Sequence, residues 1–451
     1  MQDLYKNNYN TNFNDKLKPH QKIISVNGIT VLLLVIISAL ILLHDVCDFE
    51  ISKYIFICIA TFICVINDKY DIYCFIAFLV PVSSGIPATY ITAIALVLVL
   101  FKSIYSFKYL FLGIGCIFLV LFLELFSGIR YKFDIIDYMR FAGVFVFPFL
   151  MMIDTDRQYK ILKMLKFYIA GFCVAVISLF GQMLNTYSLS DILELGVRFG
   201  NTRMLLDENI DIMSVSFNPN SLGLICIQIA LISLLLYHKQ NRRTYLIFLF
   251  IATYLGIMTQ SIAFLVTYII SFVFYIIFSC KTIKAVVKTL FLSVFTLGCI
   301  IFGTLTFLSE YVARFLLRFE VADISDNRID IAGYYWNEIA QSIDHFIFGV
   351  GIQHYPEKYN FMWAAHNATQ EVLIAWGIIG LFIIIVLFII LFHNAHKINP
   401  QARYIQYLPM IATLIHLQSG QGFSITSNLL GIMVMYSAII MKWSDDNLGS
   451  K

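Results

Sequence analysis

The residues of this chain best suited to chemistry crowd into the stretch from Arg328 to Gly380, RIDIAGYYWNEIAQSIDHFIFGVGIQHYPEKYNFMWAAHNATQEVLIAWGIIG. Asn367 is suited to cap the long apolar helix that follows, and Gln370 three residues on completes a capping-box pattern. His366 stands just before that cap and Glu371 one turn inside. A histidine at a helix mouth is either an interfacial hydrogen-bonding residue or an acid/base able to orient or deprotonate a hydroxyl. Arg328 opens the stretch, and Arg198, Arg203, Arg314 and Arg318 lie in polar segments before it. Guanidinium forks match phosphate oxygens and keep their charge. The plainer alternative is solvated charge paired with Glu194, Asp207, Glu320 or Asp326. Arg140 lies about 9 Å inside an apolar run, where a charge costs energy. It either pairs with Glu124 at similar depth or faces a phosphate group. Tyr359, Phe361 and Trp363 fit an interfacial aromatic belt or a stacking surface for sugar rings.

Asn218-Pro219-Asn220 opens another apolar helix, with Asn218 as cap and Pro219 at the first helical position. This is a plain helix start or, by virtue of its free N–H groups, a contact for an anion or carbonyl. There is no P-loop, no paired-cysteine ligand set and no His-x-x-x-His helix. Gly349-Val350-Gly351 lacks the strand-turn-helix setting of a nucleotide fingerprint and reads as a turn. Neither a metal nor a cofactor is expected, and nothing points to nucleic acid.

The elements that position these groups are membrane helices. Hydrophobic residues make up 60% of the chain and charged residues 13%, against roughly a quarter charged in soluble domains. Apolar runs of roughly 16 to 24 residues match the ~20 needed to cross the hydrocarbon layer as a helix, and the alternation of a barrel strand is absent. The expected spans are 23–43, 51–66, 71–86, 88–106, 110–127, 135–153, 160–184, 219–237, 244–258, 261–279, 286–308, 368–392, 403–418 and 426–441, about fourteen in all. The third carries Pro81 and Pro87 around Ser83-Ser84-Gly85 and is expected to be short or broken. Most of the nine cysteines fall within apolar runs, so no disulfide is expected.

The net charge of +3 hides an asymmetry between alternate connections. Lys102/Lys108, Arg157/Lys160/Lys163/Lys166, Lys239/Arg242/Arg243, Lys281/Lys284/Lys288 and Lys397/Arg403 fall on one side, whereas the short loops opposite offer Lys53, Arg130 and Lys132. By the positive-inside rule the first set is cytoplasmic, and both termini lie with it. Residues 1–22 and 444–451 then read as cytoplasmic tails around a transmembrane domain over 23–443 with an uncleaved first span. The long connections 185–218 and 309–367 face outward. Connections of that length in a compact protein are functional or disordered. In the second, Ile331, Tyr335, Ile339 and Ile343 recur every fourth residue, the pattern of an amphipathic helix.

Taken in order, Asn218-Pro219-Asn220 with Gly223, Arg328 and Trp336, Gly349-Val350-Gly351, His366-Asn367, Glu371 and Gly377-Ile378-Ile379-Gly380 resemble the bacterial O-antigen polymerase and O-antigen ligase superfamily. The first half of the chain shares only its hydropathy. The resemblance implies an all-α polytopic fold of GT-C-like architecture in the bacterial cytoplasmic (inner) membrane. It implies a glycosyltransferase acting on undecaprenyl-diphosphate-linked oligosaccharides as donor and acceptor, making O-antigen or capsular polysaccharide. A chain-length regulator and a flippase are the protein partners it brings to mind. Arg328, His366 and Glu371 match the family pattern, with His366 and Glu371 in the catalytic role; Arg140, Arg198 and Arg203 are added as diphosphate contacts from their placement. The family often opens the helix near 261 with Ser-Arg, whereas here Ser261 is followed by Ile262, so that arginine's role has no bearer at this position. The expected activity is repeat-unit polymerisation, with ligation to lipid A-core or transport of the lipid-linked oligosaccharide as alternatives.

Overall fold

The computed structural model describes residues 28–102, 111–131, 134–154, 160–189, 192, 199–200, 214–279, 282–284, 287, 328–361, 363–420, 422 and 425–443. Among these the regular structure is helical, without strands. The helices are α1 Gly28–Cys47, α2 Lys53–Ile66, α3 Lys69–Leu79, α4 Ala88–Lys102, α5 Phe111–Arg130, α6 Ile135–Ile153, α7 Ile161–Leu184, α8 Pro219–Gln240, α9 Thr244–Met258 and α10 Ile262–Ser279. After a gap follow α11 Arg328–Gln341, α12 Ile343–Phe348, α13 Tyr355–Lys358, α14 Ala368–Ile398, α15 Tyr404–Leu417 and α16 Thr426–Ile440. Seven of them, α1, α5, α6, α7, α8, α10 and α14, are long and apolar enough to cross a membrane. The protein is thus an all-helical membrane protein, with α2, α4, α9, α15 and α16 as shorter apolar helices. Its exterior carries large apolar side chains such as Phe101, Ile129, Phe250 and Phe382, as a surface solvated by lipid requires.

The third expected span is α3 followed by a 3₁₀ turn over Val80–Gly85. Pro81 lacks an N–H and its ring would press on the carbonyl four residues back, so the α-helix gives way to the tighter form. The run does not stop there, because eleven α-helical and six 3₁₀ residues together rise about 28 Å. The run 286–308 lies outside the described residues except for Val287.

Hydrogen bonds and ion pairs sort the helix ends into two layers. In one, Lys160 holds Asp68 and Asp71 at 2.6 and 2.9 Å, Lys163 holds Asp71 at 2.7 Å and Lys69 holds Asp154 at 2.9 Å. These join the starts of α3 and α7 to the end of α6. Lys102 closes the end of α2 through the carbonyls of Cys64 and Val65, and Ser279 meets Tyr404 at 2.8 Å. In the other layer Asn185 donates to the carbonyl of Val46, Ser216 to Ser84 and Phe199 to the carbonyl of Met258. Ser261 donates to Asn220 there at 2.7 Å, and Arg130 pairs with Asp344 at 3.0 Å. Helices α11 to α13 belong to this second layer.

At the centre runs α8, with 78% of its apolar window buried. A polar thread ties it to its neighbours: Tyr168 on α7 donates to Gln228 Oε1, and Gln228 Nε2 donates to Thr413 on α15 at 3.1 Å. Such groups would be costly in lipid unless paired. Each has its partner within the bundle.

Candidate functional site

Helix α14 is two helices end to end. Gly377, at φ 62° and ψ −164°, breaks its hydrogen-bond ladder, in a region essentially reserved for glycine. The break frees the carbonyls of Ile374 and Ala375, and inside a membrane such groups need partners. They find them in the turn expected at Gly349-Val350-Gly351: Val350 N donates to Ile374 O at 2.9 Å and Gly351 N to Ala375 O at 2.7 Å. Gly349, at φ 68°, ends α12 and lies so close to α14 that a Cβ there would overlap the Ala375 carbonyl. The two backbones cross glycine against glycine.

Glu124 on α5 holds the same strap from below. Its carboxylate accepts from Ile352 N at 2.8 Å, Gln353 N at 3.2 Å and Trp376 Nε1 at 2.8 Å, with the Lys358 charge close by. The alternative in which Glu124 pairs with Arg140 is therefore not realised. Three N–H donors occupy the carboxylate, and Arg140 turns instead to Asp137 at 3.2 Å and to Tyr90, whose ring it covers at 4.8 Å and whose hydroxyl it contacts. Asp137 also meets His354 at 3.1 Å. Beside them lies a small cleft lined by Glu124, Asp134, Asp137, Gln353, His354 and Lys358 among others. Its three carboxylates make it a poor seat for a diphosphate.

Above the break, α11 lays Ile331, Tyr335 and Ile339 onto a small core with Val350, Tyr355, Tyr359, Ala365, Leu373 and Ile374. Ile343, expected as the fourth member of that stripe, is 77% exposed. The helix ends at Gln341, and Ser342 caps α12 by accepting from His345 N, which rotates Ile343 off the face. Tyrosine hydroxyls fix the loop that leads to His366: Tyr335 donates to the Trp363 carbonyl at 2.6 Å, Tyr334 to that of Tyr359 at 2.7 Å, and Tyr355 accepts from Ala365 N at 2.8 Å. Phe361 stacks on Tyr334 at 4.0 Å and Tyr359 is buried, so these two rings belong to the small core. Trp363 stays 56% exposed. Burial pushes the phenols of Tyr335 and Tyr359 up, away from ionisation. The His345 ring, half-buried between Tyr131 and Tyr359, is held below its usual value by burial and then by the Arg130 charge.

The mouth of α14 gathers the sequence-selected residues. Asn367 caps the helix through Gln370 N at 2.9 Å. Only that half of the capping box forms, because the Gln370 side chain donates instead to the carbonyl of Ala332 on α11 at 2.9 Å. That bond clamps the first turn of α14 to the first turn of α11, which begins at Arg328. From the other side, Asn367 Nδ2 donates to the carbonyl of Gln418 and Thr369 to its side chain, both at 2.9 Å, just past the end of α15. Glu371 is fully buried and accepts from Gly422 N at 2.8 Å. Half-buried His366 leads directly into the Asn367 cap. Arg328, also half-buried, lies within electrostatic reach of His416 in the last turn of α15.

Arg328, His366 and Glu371 thus lie on helix ends that are joined at one corner, whereas Arg140 sits in its own cluster with Tyr90, Asp137 and His354. Arg198 and Arg203, like Arg314 and Arg318, lie outside the described residues. Asn218 caps α8 through Asn220 N at 3.0 Å, and Ser261 caps α10 through Phe264 N while donating to Asn220. The plain helix-start role is fulfilled there. Sequence reasoning missed His416 and Gln370 as members of the corner. The signal available was a histidine in an apolar run, which deserved the weight given to Arg140. Among the described residues no cluster of ligating side chains could hold a metal ion. Neither a comparison with protein-family models nor one with curated proteins gives a match to this chain.

Proposed function

We propose that the protein is a membrane glycosyltransferase that joins undecaprenyl-diphosphate-linked oligosaccharide repeat units into O-antigen or capsular polysaccharide at the outer face of the bacterial cytoplasmic membrane. The observation that carries the reading is the Gln370 to Ala332 clamp. It supports the reading by joining the helix that begins at Arg328 to the N-terminal end of one half of a broken helix, the end that follows His366 and holds the buried Glu371. Such an end carries partial positive charge and free N–H groups, and helices broken within a membrane commonly serve ligand sites in this way.

The chemistry follows from the charges. The acceptor hydroxyl oxygen attacks the anomeric carbon of the donor glycan, the bond from that carbon to the phosphate oxygen breaks, and the lipid diphosphate leaves with the electron pair. Arg328 stabilises the charge that gathers on the diphosphate. His366 or Glu371 orients the hydroxyl and takes its proton. Both substrates are amphiphiles whose phosphates lie at headgroup level. A site formed by helix ends and a surface cap suits them, with the bilayer as the third participant.

The reading includes fourteen crossings. The chain leaves the Lys-rich layer at the end of α10, marked by Ser279, and resumes at Arg328 in the opposite layer; the sequence between them includes the apolar run 286–308, of a length suited to the crossing this reading requires. Lys69, Lys102, Lys160 and Lys163 belong to the first layer, which by the positive-inside rule supports an outward orientation of the Arg328 corner. The test is incubation of the purified full chain with lipid-diphosphate repeat units, read as product length on a gel. A ladder that Arg328→Ala and His366→Ala each abolish without loss of folded protein is the expected result. No elongation by the wild type, or normal ladders in both variants, overturns it; single transfer to lipid A-core would mark a ligase, and transport alone a flippase.

A further inference from the structure

Among the described residues two polar atoms at this corner lack a hydrogen-bond partner. Gln370 Oε1 and His416 Nε2 are both enclosed without a hydrogen bond, on side chains of residues only 3% and 2% exposed. A buried polar group left unsatisfied is costly, and native structures hold few without a bound molecule to explain them. These two come from helices whose ends are tied together beside them: Asn367 and Thr369 at the start of α14 each bond Gln418, two residues past His416, at 2.9 Å, and Gln370 itself grips Ala332 of α11. The orientation of the Gln370 amide is fixed by its network, since the Ala332 carbonyl must receive an N–H. The remaining oxygen can therefore only accept.

That donor and acceptor inventory chooses the ligand. A phosphate oxygen has nothing to give to Gln370 Oε1, whereas a hydroxyl donates one hydrogen bond and accepts another. It can donate to Gln370 and accept from the Nε2–H form of His416. Resting on the glycosyltransferase reading, we infer that Gln370 Oε1 and His416 Nε2 form a subsite for a sugar hydroxyl of the lipid-linked glycan, next to the diphosphate subsite of Arg328.

The experiment uses the full chain in nanodiscs and two probes: lipid-linked repeat units extracted from a polymerase-deleted host strain, and undecaprenyl diphosphate bearing no sugar. His416→Leu and the bulkier His416→Phe, kept in case the smaller residue does not accumulate, should bind the glycolipid about ten- to hundredfold more weakly. Both should bind the sugar-free lipid as the wild type does, and His416→Gln, which restores a polar group, should recover part of the loss. Arg328→Ala should weaken both probes. Unchanged glycolipid binding in the apolar variants overturns the inference and leaves a site that holds water only; equal loss for both probes also overturns it, as a structural effect. Because binding is read without turnover, the two readings fail separately. A wild type that elongates nothing yet shows the sugar-specific loss refutes the polymerase and keeps the subsite, whereas normal elongation by His416→Leu with unchanged binding does the reverse.

Discussion

Replacing Gly377 with alanine tests whether the break in α14 is built into the fold. At φ 62° and ψ −164° an L-residue is strained by about 1–3 kcal/mol. The new Cβ would also overlap the carbonyl of Ile347 and stand 2.6 Å from Phe348 N. Backbone cannot swing aside as a side chain end does, so overpacking adds another ~1–3 kcal/mol. Retreat of the strap would relieve the overlap only by giving up the bonds from Val350 to Ile374 and from Gly351 to Ala375, at about 1 kcal/mol each. Either way the expected loss is about 2–6 kcal/mol. Thermal melting followed by size-exclusion chromatography in detergent reads it, with Gly333→Ala as the matched control. That glycine lies inside α11 with nothing within 4 Å of its would-be Cβ, and alanine there should be neutral or stabilising by up to ~1 kcal/mol. If Gly377→Ala melts together with the wild type and the control, the glycine crossing does not hold this fold together.

Glu124→Gln should destabilise the same strap by about 3 kcal/mol, because an amide presents N–H where three N–H groups already point inward; faster proteolysis near residues 349–358 is the measure. His345 is depressed in the fold, so the stability it contributes is fully present above the unfolded value of 6.5 and is lost as pH falls below it. Amide protection factors in α12, corrected for the intrinsic exchange rate, should fall between pH 7.5 and 5.5, and His345→Gln should abolish that dependence. In the opposite layer burial works against the charge of Asp68, but the hydrogen bond and charge of Lys160 together with the backbone N–H groups of Asp71 and Tyr70 outweigh it and lower its pKa below 3.8. The stability it supplies is present above that value and is lost as pH falls through the lower folded value, so Asp68→Asn should flatten only the strongly acidic limb of a stability profile.

Much of the scaffold was legible because lipid simplifies the rules. Apolar runs of sufficient length gave the helices, and the lysines of alternate connections do share a layer, as Lys102, Lys160 and Lys163 illustrate. The Asn218 and Asn367 caps were readable from local chemistry alone. Contacts between segments distant in sequence were not. Glu124 and Arg140 share a depth and opposite signs, but depth does not specify azimuth, and 228 residues separate Glu124 from the Ile352 N–H it accepts. Ile343 illustrates the limit of periodicity, since a serine cap reset the helix phase just before it. His416 escaped notice because nothing local to α15 reveals that Arg328 will stand beside it.

The divided helix has a bearing on how the chain is made. A straight segment of 31 residues would measure about 46 Å, well over the ~30 Å of the hydrocarbon layer. Insertion machinery, which meets the segment before the cap has settled on it, receives a single uninterrupted hydrophobic stretch. The bend belongs to a later stage, when residues 349–351 dock and take up the carbonyls that a straight rod would have kept for itself. Maturation of the corner is thereby tied to completion of the cap, and a chain with residues 349–351 deleted would keep every apolar helix and still lack the bonds that hold the break.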